Sequence, residues 1–286
     1  MSAFYRKRRS HVDLTLQDAR GATAHGGQLI VDALAKDFGL WDKIRACGCM
    51  DPRKDKSRGF SPEAIVSQMI FSFCSGGICL ADAGRLSEDK ALGQLVGMEH
   101  WADESTLGEW LRAQNTESLK ALWAIIREFI AWALPKAKPG RARHGGQLEV
   151  FFDDTQIEVG GHHHLKGAKE HEFHQILGHM ILHHPPCLSN EANAFYYGLG
   201  ALAFNLLMAV KVLLLEDQHQ AWSARTLIRF WLTVPVKIAR HAHRTQARIF
   251  IPKAALRWWR LFLADHYPKR KPGRPPKEPD LVVVGS

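Results

Sequence analysis

The sequence predicts a mainly α protein with a small α/β part: a helical N-terminal region, a short strand-bearing core and a helical, basic C-terminal region. Three observations carry this expectation. Apolar residues recur at helical spacing through residues 29–134, with helix-start signals in front of them. Residues 147–159 instead alternate apolar and polar in steps of two, the period of a strand. Residues 225–286 hold fourteen Lys and Arg against three acids, so this C-terminal segment carries more positive charge than the +9 of the whole chain.

Taken in order, residues 1–28 have weak periodicity and a basic cluster from Arg6 to Arg9, and they read as a flexible basic arm. Leu29 to Phe38 reads as a short helix, followed by the mixed-charge loop Asp51–Arg58. Ser61-Pro62-Glu63 is a helix start: a capping residue, a proline at the first helical position and an acid at the positive dipole end. Ile65, Val66, Met69, Ile70 and Phe73 then mark one face, and Gly76-Gly77 stops the helix. Shorter helices are expected over 80–86 and 90–96. Thr106 to Glu109 fits a capping box opening a long amphipathic helix to Ile130, with a break at Asn115-Thr116. The region 29–134 is accordingly read as a helical DNA-binding or dimerisation region, and the Pro/Gly/basic stretch 135–146 as a linker.

In the strand, Leu148, Val150 and Phe152 alternate with Glu149, Phe151 and Asp153, and Ile157 and Val159 continue beyond. Asp153 and Asp154 sit where strand propensity disfavours them. They fit either a metal ligand or a solvated strand end, and the strand alone does not separate the two. After it come Gly160-Gly161, eight histidines between His162 and His184, and an expected helix over 169–181 carrying Glu170 and Glu172.

Ala192 to Leu215, with Asn190 as cap, is apolar nearly all round and long enough to span a bilayer. Asn193 and Asn205 interrupt it and Gly198 and Gly200 permit close packing, which favours a buried core helix and a chain without a membrane partner. Residues 225–245 read as a cationic amphipathic helix broken near Pro235, with Arg229, Lys237, Arg240 and Arg244 as candidate phosphate contacts. A short strand 248–252, a helix 254–266 and a basic Pro/Gly tail 267–286 complete the chain.

The totals narrow the classes. A pI of about 9.4 points to a polyanionic partner, most simply nucleic acid. Five cysteines without a regular framework suit reduced thiols and a cytoplasmic protein. Cys47 and Cys49 lack the second pair that a zinc site needs, and the histidine-rich run matches no zinc spacing. The basic start has no apolar run behind it and is not a signal peptide. There is no Gly-rich phosphate loop and no Gly-x-Ser-x-Gly elbow. Carboxylates remain: a strand Asp with a helix Glu beside it suits Mg2+, which takes hard oxygen ligands and activates in-line phosphoryl displacement. Asp153 and Glu170 are the natural pair by position. In the tail, Lys269, Arg270, Lys271, Arg274 and Lys277 surround a Pro-Gly-Arg-Pro core that looks like an AT-hook, a device for the narrow minor groove. A non-specific polyanion binder is the alternative.

Together, Phe152-Asp-Asp-Thr-Gln-Ile-Glu-Val159, the Phe60 to Phe73 helix, Ser105-Thr-Leu-Gly108, Leu182 to Cys187, and Ala192-Asn-Ala-Phe-Tyr196 through Leu206 resemble insertion-sequence transposases of the DDE class, in the IS4-like group with a ribonuclease-H-like core. The resemblance implies DNA strand cleavage and strand transfer at terminal inverted repeats of double-stranded DNA. It also implies two Mg2+ ions, association with the bacterial nucleoid when DNA is bound, and room for a homo-oligomer. Matching Thr155 to the family's Asp-x-Thr makes Asp153 the first catalytic carboxylate, with Asp154 the alternative. Glu170, or alternatively Glu172, becomes the catalytic glutamate. Only sixteen residues separate Asp153 from Glu170, whereas the family places further strands and a second Asp between them. The expectation is a truncated core over 147–266 and a defective transposase remnant. The alternative is a non-catalytic DNA-binding regulator derived from one.

Overall fold

The computed structural model of the 286-residue chain describes residues 21–98, 100–137, 186–241, 244–267 and 280–285. Most described residues are helical, and one small mixed sheet completes the fold. Seven helices come first: α1 (Gln28–Phe38), α2 (Leu40–Ala46), α3 (Pro62–Cys74), α4 (Leu80–Arg85), α5 (Lys90–Val96), α6 (Glu104–Arg112) and α7 (Thr116–Ala133). After them come α8 (Asn190–Ala209), α9 (Ala224–Leu227) and α10 (Leu256–His266). The strands are β1 (Ala22–Thr23), β2 (Val236–His241), β3 (Arg244–Ile251) and β4 (Asp280–Gly285).

Helices α5 to α9 begin where a side chain gives their first N–H groups a partner. Pro62 opens α3 as the sequence indicates, but the Ser61 side chain makes no capping hydrogen bond. The break at Asn115 is the start of α7: its side chain accepts from Glu117 N (2.9 Å) and Ser118 N (3.1 Å), and Ser118 Oγ accepts from Asn115 N (2.9 Å). The capping box expected at Thr106 is displaced. Asp103 caps α6 by accepting from Thr106 N at 2.7 Å, so the helix starts at Glu104. An ionised cap next to the positive helix end outcompetes a hydroxyl. Likewise Ser189, not Asn190, caps α8.

The core forms around α8. Its buried residues include Phe195, Tyr196, Leu199, Leu202, Leu206 and Leu207, and it packs against α3, α6 and α7. Each such side chain stabilises the fold by about 2 kcal/mol when buried, well above the tenths of a kcal/mol that separate helix propensities. Packing therefore determines this helix. Phe73 and Tyr196 meet edge-on at 5.2 Å between ring centroids, as do Trp110 and Phe195 at 5.4 Å. Gly198 allows the close approach of α7, since a Cβ there would stand 2.8 Å from Leu122 Cδ2. Asn193, the polar residue near its start, is used: its side chain accepts from Cys187 N (3.0 Å) and donates to Cys187 O (2.8 Å), fixing the loop before the helix. The helix is long and apolar enough to cross a membrane, and here it is the element that α3, α6 and α7 cover.

α8 runs into a wide π turn, Val210–Leu214, whose carbonyls find side-chain donors: Gln220 Nε2 to Lys211 O at 2.7 Å and Trp258 Nε1 to Leu214 O at 2.8 Å. Beyond α9 and a second π turn, Ile228–Leu232, the chain becomes extended. The cationic helix expected over 225–245 thus stops at Leu232. Pro235 has no N–H to continue it, and buried Val236 beside exposed Lys237 begins a strand alternation.

The sheet order is β1-β2-β3-β4, with β3–β4 parallel and the other pairs antiparallel. Two expectations are corrected here. The last part of the supposed flexible arm is fixed: Ala22 and Thr23 pair with Lys237 and Val236, and Thr23 Oγ1 donates to Asp89, the cap of α5. The end of the supposed tail is also ordered as β4, because its apolar run Leu281 to Val284 supplies the strand that covers β3. The strand 147–159 and the histidine-rich run 162–184 lie outside the described residues.

Two buried details set tests. Gln68 uses its whole amide: Nε2 donates to Ala83 O (2.8 Å) and Ala102 O (2.7 Å), and Oε1 accepts from Ala102 N (2.8 Å). It ties α3 to α4 and to the approach of α6. Gln68→Met keeps the length and leaves the buried Ala102 N–H and O unpaired, while Ala83 O keeps its bond from Leu86 N, so equilibrium denaturation should show a loss of roughly 3 kcal/mol. Gly27 has backbone pressed against it: a Cβ would stand 2.2 Å from Trp231 O and 2.3 Å from Leu232 Cα. Gly27→Ala should lower stability by on the order of 3 kcal/mol, read as a lower denaturation midpoint, since overpacking against backbone adds to the loss of a glycine preferred over alanine at the N-cap of α1.

Candidate nucleic-acid interface

Many cations of the N-terminal region are matched by nearby acids, whereas Lys54, Lys90, Arg112, Lys120 and Arg127 are exposed and form no ion pair among the described residues. Lys36 meets Asp32 at 2.6 Å, Lys43 meets Glu128 at 2.7 Å, and Arg85 meets Asp82 at 3.0 Å. Arg45 bridges Asp42 (2.7 Å) and Glu63 (2.9 Å). Arg53 grips Asp51 with two nitrogens, at 2.9 and 3.0 Å, and Lys56 adds a third contact at 2.9 Å. The Arg53 fork holds the Asp51 carboxyl well below the usual carboxylate range. A groove of about 600 Å³ runs past Lys36, Arg45, Arg53 and Lys56, with Trp41 and Phe60 as apolar lining. All four of these cations are ion-paired, so a phosphate would have to displace a carboxylate to reach one.

The C-terminal segment differs. Strand alternation in β3 buries Ala247, Ile249 and Ile251 and turns Arg248 and Phe250 to the outer face of the sheet. Lys237 is the direct partner of Arg248 across β2–β3 and is also exposed. Two cations therefore stand side by side on one face. Arg248 Nε donates to Gln246 Oε1 at 3.1 Å, which aligns the guanidinium along the strand. Among the described residues neither Lys237 nor Arg248 forms an ion pair. The register places Arg240 and Arg244 at the hairpin end of the same two strands, with Arg240 opposite Thr245 and Arg244 opposite His241.

Arg229 lies apart from this sheet face, in the second π turn. It is exposed, and its guanidinium lies 5.5 Å from the ring centroid of Phe230, itself 60% exposed. α10 buries Trp259, Phe262 and Leu263 and exposes Arg257 and Arg260 on its other side, with Lys253 just before it. This helix packs against β4. Arg248, Arg257 and Arg260 were not singled out from the sequence, although the signals are present. Arg248 sits between two apolar residues in a period-2 run. Arg257 and Arg260 are three apart on a helix, opposite Trp259 and Phe262. Reading residues 225–245 as helix hid the first of these, because helical spacing would separate Lys237 from Arg248.

The structure brings Lys237 together with Arg248 and sets Arg240 and Arg244 at one end of the same hairpin. The candidate carboxylates Asp153, Asp154, Glu170 and Glu172, and the tail cations Lys269, Arg270, Lys271, Arg274 and Lys277, lie outside the described residues. Among the described residues no group of three or more His, Cys, Asp or Glu could hold a metal ion. What the described residues furnish is an exposed basic surface suited to a polyanion.

Comparison with known families places the chain. Residues 6–180, more than half of it, match the family model described as transposase DDE domain, group 1. The matched span takes in Asp153 and Glu170 and ends before α8. No curated protein and no solved structure matches the chain. On the strength of that match, the chain belongs to the DDE transposase family.

Proposed function

We propose that this chain is a DNA-binding derivative of an IS4-like DDE transposase, with a truncated ribonuclease-H-like core and little or no remaining strand-cleavage activity. The observation that carries the DNA-binding part is the local excess of charge: residues 225–286 hold fourteen Lys and Arg against three acids, while residues 1–224 hold 24 against 26. Lys36, Lys43, Arg45, Arg53, Lys56 and Arg85 are each matched by a carboxylate. Lys237 and Arg248, side by side on an exposed sheet face, are not. Phosphates gain most from cations that need not first leave a partner. Arg229, Arg257 and Arg260 are further exposed cations of this region, and Arg240, Arg244, Lys269, Arg270, Lys271, Arg274 and Lys277 are proposed phosphate contacts beyond them. The partner in this reading is double-stranded DNA, at terminal inverted repeats, with the protein in the bacterial cytoplasm and nucleoid and free to act as a homo-oligomer.

For the catalytic part, Asp153 and Glu170 are the proposed metal ligands, with Asp154 and Glu172 as alternatives. Carboxylates are the donors that Mg2+ prefers, and a bound divalent ion would supply charge stabilisation at a phosphodiester. The sixteen residues between Asp153 and Glu170 leave no room for the strands and second Asp of the family. A site short of one carboxylate holds its metal ions poorly, which supports reading the chain as defective.

A regulator without catalysis is the second reading. It is favoured by the shared core: residues 29–133 and 192–263 contribute to one continuous cluster on which the basic sheet face is built.

Two measurements test these readings. With inverted-repeat DNA and Mg2+ or Mn2+, the protein should give salt-sensitive binding without robust cleavage. Cleavage that disappears in Asp153→Ala would overturn the defective reading, whereas binding unchanged in Asp153→Ala fits both. Replacing Lys237 and Arg248 together by alanine should weaken binding to all duplex sequences and lower the slope of log affinity against log salt by roughly 2. An unchanged slope would remove the sheet face from the interface.

A further inference from the structure

Cys47 and Cys49 have no part in the DNA chemistry above. α2 ends at Ala46, and the chain turns through a 3-10 segment, Gly48–Met50. The turn is fixed at both ends: Cys47 N donates to Ile44 O (3.1 Å), Met50 N to Cys47 O (3.1 Å) and Asp51 N to Gly48 O (3.2 Å). Met50 is fully buried and anchors it to the core. This geometry brings the two half-buried thiols together, Sγ to Sγ 3.2 Å. A disulfide requires about 2.05 Å, a small further movement for side chains in an open turn. Gly48 between them has no atom near the position a Cβ would take. The other cysteines are placed differently: Cys74 is fully buried under α8, Cys79 is exposed beside Asp82, and Cys187 is half-buried in the loop before α8.

We propose that Cys47 and Cys49 form a reversible dithiol–disulfide site, with a small-molecule disulfide such as oxidised glutathione as the oxidant. The Cys47 thiolate attacks one sulfur of oxidised glutathione, forming a mixed disulfide and releasing one glutathione thiolate. Cys49 then gives up its proton and attacks Cys47 Sγ. The new Cys47–Cys49 bond forms as the second glutathione thiolate leaves, and the released thiolates take up the two protons. Two protein thiols are oxidised and one small disulfide is reduced to two thiols. Burial and the adjoining Cys47 push Cys49 up to about 11, which keeps it protonated and disfavours it as the first attacker; in the second step its contact with Cys47 Sγ offsets the small thiolate fraction.

Peptide mapping tests this on the full-length protein. Trypsin cutting after Arg45 and Arg53 isolates both cysteines in the peptide Ala46–Arg53. After incubation with oxidised glutathione and alkylation, this peptide should be lighter by two hydrogens than its unalkylated reduced form and carry no label. Dithiothreitol should restore both alkylation sites. Cys49→Ser should stop at a glutathione adduct on Cys47. A wild-type peptide that stays reduced, carries only glutathione adducts, or is bridged to Cys74, Cys79 or Cys187 would overturn the proposal. The wild-type map decides the matter even if a serine variant folds poorly.

Discussion

A helix without a polar stripe has to be covered, and that requirement at α8 organises the rest of the molecule. Its large buried side chains face more than one direction, so a single partner helix cannot shield them. α3, α6 and α7 close round it, and the contact with α7 is close enough that Gly198 has room for no more than a hydrogen against Leu122. The polar atoms that α8 carries into this environment are satisfied locally, as Asn193 shows with Cys187. The helix ends by widening into a π turn whose freed carbonyls are taken by Gln220 and Trp258. Trp258 belongs to α10, so the end of the central helix also positions the helix that packs on β4.

Electrostatics divides the same structure into two parts. In the N-terminal helices, many cations lie within a few residues of an acid or across from one on an adjoining element, and residues 1–224 as a whole hold 24 Lys and Arg against 26 acids. Exposed pairs of this kind contribute little to stability, typically under about 1 kcal/mol. Their larger effect is to remove those cations as binding groups. In the C-terminal segment, acids are too few to do the same. Lys237 and Arg248 are forced onto one side of the sheet because Val236, Ala247 and Ile249 are required on the other. The basic face is thus a by-product of burying the opposite face of a small sheet.

What could be read in the sequence follows the range of the forces involved. Local chemistry was legible: Pro62 opens α3, the helix over 90–96 is α5, and Asn115 separates α6 from α7. Even there, Asp103 replaced Thr106 as a cap: its carboxylate accepts from Thr106 N and starts the helix one turn earlier. Non-local pairing was not legible. Ala22 and Thr23 have no strand signal of their own and are extended because β2 offers an edge. β4 follows a basic, proline-rich stretch that masks its short apolar run. Residues 225–245 contain enough helix formers to suggest one helix, yet Pro235 and the alternation after it give β2 and β3. The candidate site shared this fate. The cations Lys237, Arg240 and Arg244 were visible as charges, but their grouping with Arg248 depends on register. Asp153 and Glu170 were singled out from the sequence by the company they keep and by family resemblance.

The sheet draws on residues 22–23, 236–251 and 280–285, so its strands meet only after most of the chain has been arranged. Such pairings incur the loop-closure cost before they gain contact energy, and they form late. β1 is held by Asp89 at the start of α5, and the Gly26-Gly27 corner is pressed against Val234 and Leu232. α1 begins immediately after that corner and enters the helical core. The basic face is therefore not a separable module attached to a helical body. Its edge strand, its hairpin and its parallel strand are each held by elements whose own stability comes from the cluster around α8. A disturbance of that cluster would reach Lys237 and Arg248 through β1 and α10 without touching either residue.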